Sequence, residues 1–299
     1  MKKLSINGPI LILVAAALWA MDGIVRRSLY VLPPIIIVFF EHFVGAILLT
    51  PLVVKGFKKE KLSKLEWGAV GTVALLSSLL GTLWFTTALL MTSYISFSVV
   101  FLLQKLQPLF AVVTARIVLK EKINKRYALW AAIALIAAYF ITFPKGVVNF
   151  STGDKTVLAA LFALGSAIAW GSTTAFSRYT LLKHDDKFIT GLRFGITTLL
   201  ALVAVFILNQ QSKLFTVTWS QFGQFTFIAL STGMVALLIY YKGLKTTSVR
   251  VSTILELTFP LIAVFIDVIL YKTVISPIQV IAAVVLLFAM YQTTRFQKI

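Results

Sequence analysis

Residues 17–27, ALWAMDGIVRR, and residues 167–178, AIAWGSTTAFSR, decide how this chain folds. Their tryptophans, Trp19 and Trp170, are 151 residues apart, and the arginines that end the two stretches are separated by the same number. A fixed offset of this length indicates that one structural unit, about half the chain long, occurs twice.

The duplication continues in the same order along both halves. The segment LQKLQP at 103–108 matches LELTFP at 255–260 with an offset of 152, and ALLMTS at 88–93 matches GLKTTS at 243–248 with an offset of 155. Because the offset changes only slightly and the matches stay in order, we expect the two copies to carry the same series of structural elements.

The composition excludes a soluble protein. The 299 residues are 59% hydrophobic and 13% charged, with a mean hydropathy of +0.95, whereas a soluble domain carries roughly 25% charged residues. Apolar stretches long enough to span a bilayer predict an all-α membrane protein with ten transmembrane helices. They lie near 8–28, 34–54, 66–90, 93–117, 126–143, 156–178, 188–208, 222–244, 250–270 and 277–293. The short connections leave no room for a soluble catalytic domain.

The basic residues are distributed by connection. The formal net charge of +18 would suggest nucleic acid as a partner if the basic residues formed one patch. Instead, 20 of the 28 Lys and Arg residues lie near the two termini and the second, fourth, sixth and eighth connections. The positive-inside rule places these parts in the cytoplasm. We therefore expect a multi-pass protein of the cell membrane with both termini cytoplasmic and no nucleic-acid partner.

Each copy contains five predicted helices, so the second copy must enter the membrane in the opposite orientation. The predicted layout is a first five-helix repeat at 1–145, an external linker at 146–155 and a second, inverted repeat at 156–299. Inverted repeats are typical of secondary transporters, which bind substrate between the repeats near the bilayer midplane.

Several local patterns resemble a known family. Ten helices in two copies, a Thr-Ser pair before each fourth helix, a proline within that helix and the segment LKEKI at 119–123 resemble the drug/metabolite transporter superfamily, in its ten-helix EamA-like branch. The resemblance covers the whole chain. It implies alternating access, with helices one, three, four, six, eight and nine around a central cavity and helices five and ten at the periphery. The second half departs from the first where Glu256 stands in place of Gln104.

Ionisable residues inside the predicted helices are the functional candidates, because each costs about 2.5–3.5 kcal/mol at a helix centre. Seven residues qualify: Asp22, Glu41, His42, Lys105, Arg193, Glu256 and Asp267. Their combined cost indicates that most face the protein interior or one another, although Asp267 lies near the outer end of its helix and is expected to be solvated.

Lys105 and Glu256 occupy nearly the same place in the two fourth helices. Lys105 is too deep to reach the membrane surface, so we expect it to pair with Glu256 across the two-fold axis. The pair is either a static salt bridge or a contact that opens when substrate or a proton binds. Buried ion pairs stabilise poorly compared with apolar packing, which favours the second interpretation.

Glu41 and His42 are adjacent in the inner half of the second helix. A buried carboxylate beside an imidazole can carry a proton, so we expect this pair to couple transport to protons. The alternative is that Glu41 pairs with Arg193 and that His42 is only hydrogen-bonded.

Trp19 and Asp22 share one face of the first helix with Arg26. An aromatic plane beside a carboxylate suits a substrate amine, so both residues are predicted to bind substrate. In the alternative, Asp22 pairs with Arg26 and Trp19 packs against lipid. The other predicted substrate-binding residues are Gln104, Lys105, Gln107, Trp170 and Glu256.

The predicted function is secondary active transport of a small organic metabolite, namely an amino acid, an amine or a cationic drug, with proton-coupled export as the mechanism. The alternatives are an exchanger of anionic solutes such as sugar phosphates, or a passive facilitator. A monomer is compatible with this function. The sequence contains no phosphate loop, metal-ligand cluster or nucleophilic triad, so no enzyme activity, metal or cofactor is expected. Four further aromatics are assigned to interfacial belts: Trp84, Trp130, Tyr240 and Tyr241.

Overall fold

The computed structural model describes residues 7–91, 100, 103–147, 155–271 and 274–296, which are helical apart from turns and short connections. Ten helices follow one another in these ranges. They are α1 (Gly8–Val25), α2 (Pro34–Phe57), α3 (Lys64–Leu90), α4 (Gln107–Val118), α5 (Lys125–Thr142), α6 (Thr156–Leu181), α7 (Asp186–Ile207), α8 (Trp219–Thr246), α9 (two segments, Val249–Leu255 and Thr258–Tyr271) and α10 (Pro277–Thr294). Most of the predicted linker at 146–155 lies outside the described residues, so its boundaries stay a prediction.

Eight of these helices are long and apolar enough to cross a membrane. The other two, α1 and α4, have shorter apolar stretches, at Gly8–Asp22 and Gln107–Val118. This agrees with the ten predicted spans, since the part of the fourth span before α4 falls largely on residues that are not described. The prediction of an all-α membrane protein with two five-helix repeats is confirmed.

Side-chain caps start several of the helices, and those of the two third helices match. Ser63 and Glu66 form a capping box at α3, and Thr218 and Gln221 form one at α8, 155 residues later. In each box the two side chains and backbone N–H groups satisfy each other. The duplication is therefore visible in local hydrogen bonding as well as in helix order.

The packing has an approximate two-fold relation. Helices α2 and α7, which occupy equivalent places in the two repeats, pack against each other, and so do α5 and α10. Helix α1 packs against α8 and α9, and α6 packs in the corresponding way against α3 and α4. The first helix of each repeat thus packs against the third and fourth helices of the other repeat. The interface between the two repeats lies at the centre of the molecule.

The fourth helix of each repeat is interrupted at the same place. Two-residue turns occur at 105–106 before α4 and at 256–257 within α9, and equivalent hydrogen bonds close them: Leu106 N donates to Leu103 O at 3.2 Å, and Leu257 N to Ile254 O at 3.1 Å. Matching the prolines had aligned Glu256 with Gln104. The turns align it with Lys105 instead, because the second copy carries its extra residue between the turn and the proline.

Both third helices also depart from α-helical geometry. Helix α3 is a π-helix over Val73–Gly81, and α8 is interrupted by a turn at 231–233. Such departures free backbone groups, which a membrane protein tolerates only where protein or a cavity satisfies them. Both departures adjoin the cavity described below.

An ionic cluster joins the repeats at the end of the bundle where the second, fourth, sixth and eighth connections meet. Glu121 pairs with Arg178 at 3.3 Å and accepts hydrogen bonds from the backbone N–H groups of Val249, at 2.9 Å, and Arg250, at 3.3 Å. The guanidinium of Arg250 donates to two backbone carbonyls. The carboxylate comes from the first repeat and its partners from the second.

The same cluster contains a histidine between two carboxylates. His184 Nδ1 lies 2.7 Å from Glu60 and Nε2 lies 3.3 Å from Glu66, and the ammonium of Lys183 lies 2.9 Å from Glu66. The hydrogen bond to Glu66 raises the pKa of Lys183. Here too the carboxylates belong to the first repeat and the basic groups to the second.

Candidate functional site

A cavity of about 280 Å³ lies between the repeats, near the low end of the ~300–1,000 Å³ usual for small-molecule sites. Its lining comes from α1 to α4 with their connections and from α6 to α9, and none of the described lining residues belongs to α5 or α10. The family resemblance implied six lining helices; α2 and α7 contribute as well. All nine predicted site residues line the cavity: Trp19, Asp22, Glu41, His42, Gln104, Lys105, Gln107, Trp170 and Glu256.

Two aromatic pairs line the cavity. Trp19 packs against Tyr240 with ring centroids 5.0 Å apart and planes at 52°, and Trp170 packs against Phe85 at 5.1 Å and 58°. In each pair the tryptophan comes from one repeat and its partner from the third helix of the other. Trp19 therefore lines the cavity, and its predicted alternative of packing against lipid is wrong.

Arg26 is held by two carboxylates. Its Nε donates to Asp22 at 2.6 Å, and its two terminal nitrogens donate to the two oxygens of Glu41 at 2.9 and 2.8 Å. The alternative pairing of Asp22 with Arg26 is thus present, whereas the alternative pairing of Glu41 with Arg193 is not. Planar guanidinium matches carboxylate in this two-bond arrangement, which explains why Glu41 turns to α1.

The turn in α8 completes this acidic group. Thr232 donates its hydroxyl proton to Asp22 at 2.5 Å, and Gly233 lies beside Glu41. We call Asp22, Arg26 and Glu41 the ionic triad. Two carboxylates and one guanidinium carry one excess negative charge when all are ionised, so a single proton makes the triad neutral.

Arg193 is held in the opposite way, by hydroxyl groups. Its Nε donates to Ser78 at 2.5 Å, Nη2 to Ser77 at 3.0 Å and Nη1 to Tyr241 at 2.8 Å. Ser77 and Ser78 lie in the π-helical part of α3, and the Ser77 carbonyl accepts a hydrogen bond from Trp170 at 2.9 Å. The irregular helix therefore presents two hydroxyls to one side chain.

His42 lies at the cavity wall beside the triad. Its Nδ1 lies 2.8 Å from the Val38 carbonyl, and its ring packs against Phe194 at 5.0 Å. Because a carbonyl only accepts hydrogen bonds, Nδ1 is the donor in this contact. The predicted role of His42 in proton movement stays a prediction.

Lys105 and Glu256 do not form the predicted ion pair. Glu256 accepts hydrogen bonds from Tyr240 at 2.7 Å and Gln107 at 2.9 Å, and the ammonium of Lys105 lies 4.0 Å from the centroid of the Phe259 ring. Both line the cavity, but no nitrogen–oxygen distance within 4 Å links them. The neutral donors Tyr240 and Gln107 occupy the Glu256 carboxylate, and the Phe259 ring provides the Lys105 ammonium with an alternative partner.

Gln104 and Gln107 form a polar chain to this carboxylate. Gln104 donates to Gln107 at 2.8 Å, and Gln107 donates in turn to Glu256. Each amide nitrogen uses one of its two N–H groups in this chain of hydrogen bonds.

Sequence reasoning missed three contributors. Tyr240 and Tyr241 were assigned to an interfacial belt, but both are buried at the cavity, and Arg26 was paired with Asp22 alone. The signal for Tyr240 was present, because it follows Phe85 by the 155-residue offset of the third helices. Nothing local in the sequence indicated that Arg26 reaches Glu41 in the next helix.

Two expectations concern other residues. The side chain of Asp267 lies outside the described residues. Within the described part of the chain, no three His, Asp or Glu side chains are grouped as metal ligands.

Proteins similar to this chain are transporters where their names give a function. It is 33% identical over 293 residues to the riboflavin transporter ImpX of Fusobacterium nucleatum, covering 97% of this chain and 98% of that protein. It is 23% identical to protein LicB of Haemophilus influenzae, over 92% of each chain. An uncharacterized transporter of Clostridium kluyveri is 26% identical over 67% of this chain and 65% of its own length.

Solved structures share the fold, among them one crystal structure. It superposes with a TM-score of 0.76 over 97% of each chain, although only 17% of the aligned residues are identical. The sequence profile of the EamA-like transporter family matches the chain twice, over residues 6–143 and 157–295. The two matches agree with the duplication, and the resemblance noted from the sequence is confirmed. This chain is a multi-pass membrane protein that belongs to the EamA-like transporter family.

Proposed function

We propose that this protein is a secondary transporter of riboflavin or a closely related flavin, which it moves through the inter-repeat cavity by alternating access. The observation that carries the proposal is the end-to-end match, at 33% identity, to a protein named as a riboflavin transporter. A match over 97% of the chain includes every helix that lines the cavity.

The chemistry of the cavity supports a neutral, planar substrate. Its aromatic walls suit a flat ring system, and glutamine, serine, threonine and tyrosine side chains offer partners for a polyhydroxyl chain. The charged lining groups balance when ionised: Asp22, Glu41 and Glu256 against Arg26, Lys105 and Arg193. Riboflavin is uncharged and combines a flat heterocycle with such a chain.

The substrate classes predicted from the sequence have weaker support. An amino acid, amine or cationic drug needs a carboxylate, yet Asp22 and Glu41 are engaged by Arg26 and Glu256 by neutral donors. An anionic solute such as a sugar phosphate needs several basic groups, and Lys105 and Arg193 alone lie outside the triad. Neither class accounts for the paired aromatic walls.

Proton coupling belongs to the same proposal. The ionic triad carries one more negative than positive charge when all three groups are ionised, so it is a place at which a single proton can bind. Glu41 is the proposed proton carrier and His42 its neighbour in the path. A passive facilitator would leave flux independent of the proton gradient.

Orientation is also proposed from the charge bias: both termini face the cytoplasm and the linker around Asn149 faces outward. The natural chain contains no cysteine, so a single Asn149→Cys substitution gives one labelling site. In intact cells an impermeant maleimide should label it fully. Labelling only after permeabilisation would contradict the orientation.

Uptake by proteoliposomes tests the substrate. The purified protein should accumulate radiolabelled riboflavin, and unlabelled riboflavin should compete more strongly than an amino acid, a polyamine or a sugar phosphate. Protein-free liposomes give the background. Uptake of a labelled amine or amino acid that riboflavin does not inhibit would overturn the flavin assignment and restore the earlier one.

A further inference from the structure

We propose that Arg193 is the residue that recognises the acceptor edge of the substrate, which in a flavin is the nitrogen and carbonyl edge of the pyrimidine ring. The inference rests on the flavin substrate proposed above and assigns a specificity-determining residue to it.

The first observation is the charge of Arg193. Within the described parts of the chain, no carboxylate oxygen lies within 4 Å of its guanidinium, whereas the other cavity arginine, Arg26, contacts two carboxylates. Arg193 lies about 10 Å along α7 from the start of the helix at Asp186, at the helical rise of about 1.5 Å per residue. A guanidinium at such a depth requires electron-rich partners, and its hydrogen-bond acceptors in the protein are hydroxyls.

The second observation is the geometry of its donors. Guanidinium has five N–H groups, and Ser77, Ser78 and Tyr241 take one each from Nη2, Nε and Nη1. One N–H on each terminal nitrogen is therefore left for a ligand. Arg193 is only partly buried and lines the cavity.

The third observation is that Arg193 is fixed in place. Two of its partners lie on the π-helical segment of α3, the third is a buried tyrosine of α8, and the guanidinium lies 5.6 Å from the ring of that tyrosine. Side chains held from several helices bind with less loss of conformational freedom. The repeat offset of 151 also makes Arg193 the equivalent of His42, so the two halves of the cavity differ at this position.

A flavin supplies what the two remaining donors require. The pyrimidine ring of the isoalloxazine presents neighbouring acceptors in its plane, a ring nitrogen and a carbonyl oxygen. Planar, two-bond recognition of adjacent acceptors is the geometry in which arginine exceeds lysine. Positive charge near this edge also matches the sites at which proteins tune flavin electronics.

Binding of riboflavin and of its 2-thio and 4-thio analogues tests the assignment. Sulfur accepts hydrogen bonds more weakly than oxygen, so the wild type should bind at least one analogue about tenfold more weakly than riboflavin, as loss of a charged hydrogen bond implies. Quenching of riboflavin fluorescence in detergent gives its affinity, and displacement of bound riboflavin gives the affinities of the two analogues. Arg193→Gln should bind riboflavin at least tenfold more weakly and should bind all three compounds alike.

Two further variants complete the design. Arg193→Lys keeps the positive charge but lacks the planar, two-bond geometry of guanidinium, so it too should lose discrimination among the three flavins. This variant keeps the test decisive if the Gln variant does not fold. Arg126→Gln removes an exposed arginine on α5, outside the cavity, and should behave as the wild type.

The outcomes separate the inference from the function. Failure of the wild type to bind riboflavin would remove the proposed function and the flavin edge with it. Riboflavin binding by the wild type, with unchanged affinity or unchanged discrimination in a folded Arg193 variant, would overturn the role of Arg193 and leave the transport function standing.

Discussion

Two arginines line the same cavity and are held by opposite chemistry. Arg26, from the first repeat, is closed by the carboxylates of Asp22 and Glu41, while Arg193, from the second, is held by three hydroxyl groups. The repeat offset explains the contrast, because Thr173 stands in the second copy where the first has Asp22, and Leu192 stands where the first has Glu41.

The contrast teaches how a duplicated fold makes an asymmetric site. The same helices and the same aromatic walls occur on both sides, but the charged groups have diverged. On one side, the ionic triad satisfies its own charges except for one negative charge, which a proton can neutralise. On the other side, Arg193 keeps two N–H groups that no atom of the described residues accepts. The first arrangement suits coupling to protons, and the second suits recognition of a substrate.

The largest effect should come from removing Arg26. Arg26→Gln leaves two neighbouring carboxylates without their cation and should lower the free energy of unfolding by about 3–5 kcal/mol, as for other broken buried pairs. Arg193→Gln leaves only hydroxyls and should cost about 1–3 kcal/mol. Thermal unfolding of both variants in detergent gives the order.

A double variant controls this comparison. Adding Glu41→Gln to Arg26→Gln removes one of the two uncompensated carboxylates and should recover part of the lost stability. If the Arg26 and Arg193 variants unfold at the same temperature, or if the double variant is no more stable than Arg26→Gln, the triad is not the electrostatic unit described here.

An intermediate effect is expected on coupling. Glu41→Gln makes the triad neutral without a proton, so acceleration of riboflavin uptake by a pH gradient should disappear while exchange of labelled for unlabelled riboflavin remains. Stability should change by about 1 kcal/mol or less, since Arg26 keeps Asp22 and an amide oxygen. Asp186→Asn, at the start of α7 and outside the cavity lining, serves as control. Full acceleration in the Glu41 variant would move the proton to Asp22.

The smallest effects should come from single hydroxyls. Thr232→Val removes the hydroxyl donor to Asp22, and Ser78→Ala removes one of three acceptors around Arg193. Each should cost about 0.5–1.5 kcal/mol, but only Ser78→Ala should weaken riboflavin binding, measured by fluorescence quenching. Weaker binding in the Thr232 variant alone would exchange the roles assigned to the two sides.

The fold was predictable because its signals are local and repeated. Apolar length gave the ten spans, and the spacing of Trp19 and Trp170 gave the duplication. The candidate residues were predictable as a set, because an ionisable side chain inside a membrane helix has few places to go.

Their pairing was not predictable. Whether Glu41 pairs with Arg26 or with Arg193 depends on how α1 and α7 pack against α2. The hydrophobic periodicity of a single helix does not determine these packing angles. The Lys105–Glu256 ion pair is not formed for a related reason: neighbouring side chains decide what reaches the carboxylate, and they cannot be read from the repeat offset. Tyr240 and Gln107 reach the carboxylate instead.

The ionic cluster at the end of the bundle bears on the rate of transport rather than on substrate binding. Each of its contacts joins a glutamate of the first repeat to a basic residue of the second. In the alternating-access cycle proposed above, movement of one repeat against the other breaks these links, so we expect their combined strength to set a barrier to turnover. Dissolved salt screens the more exposed members such as Lys183, and the turnover rate should accordingly rise with ionic strength while substrate affinity stays the same.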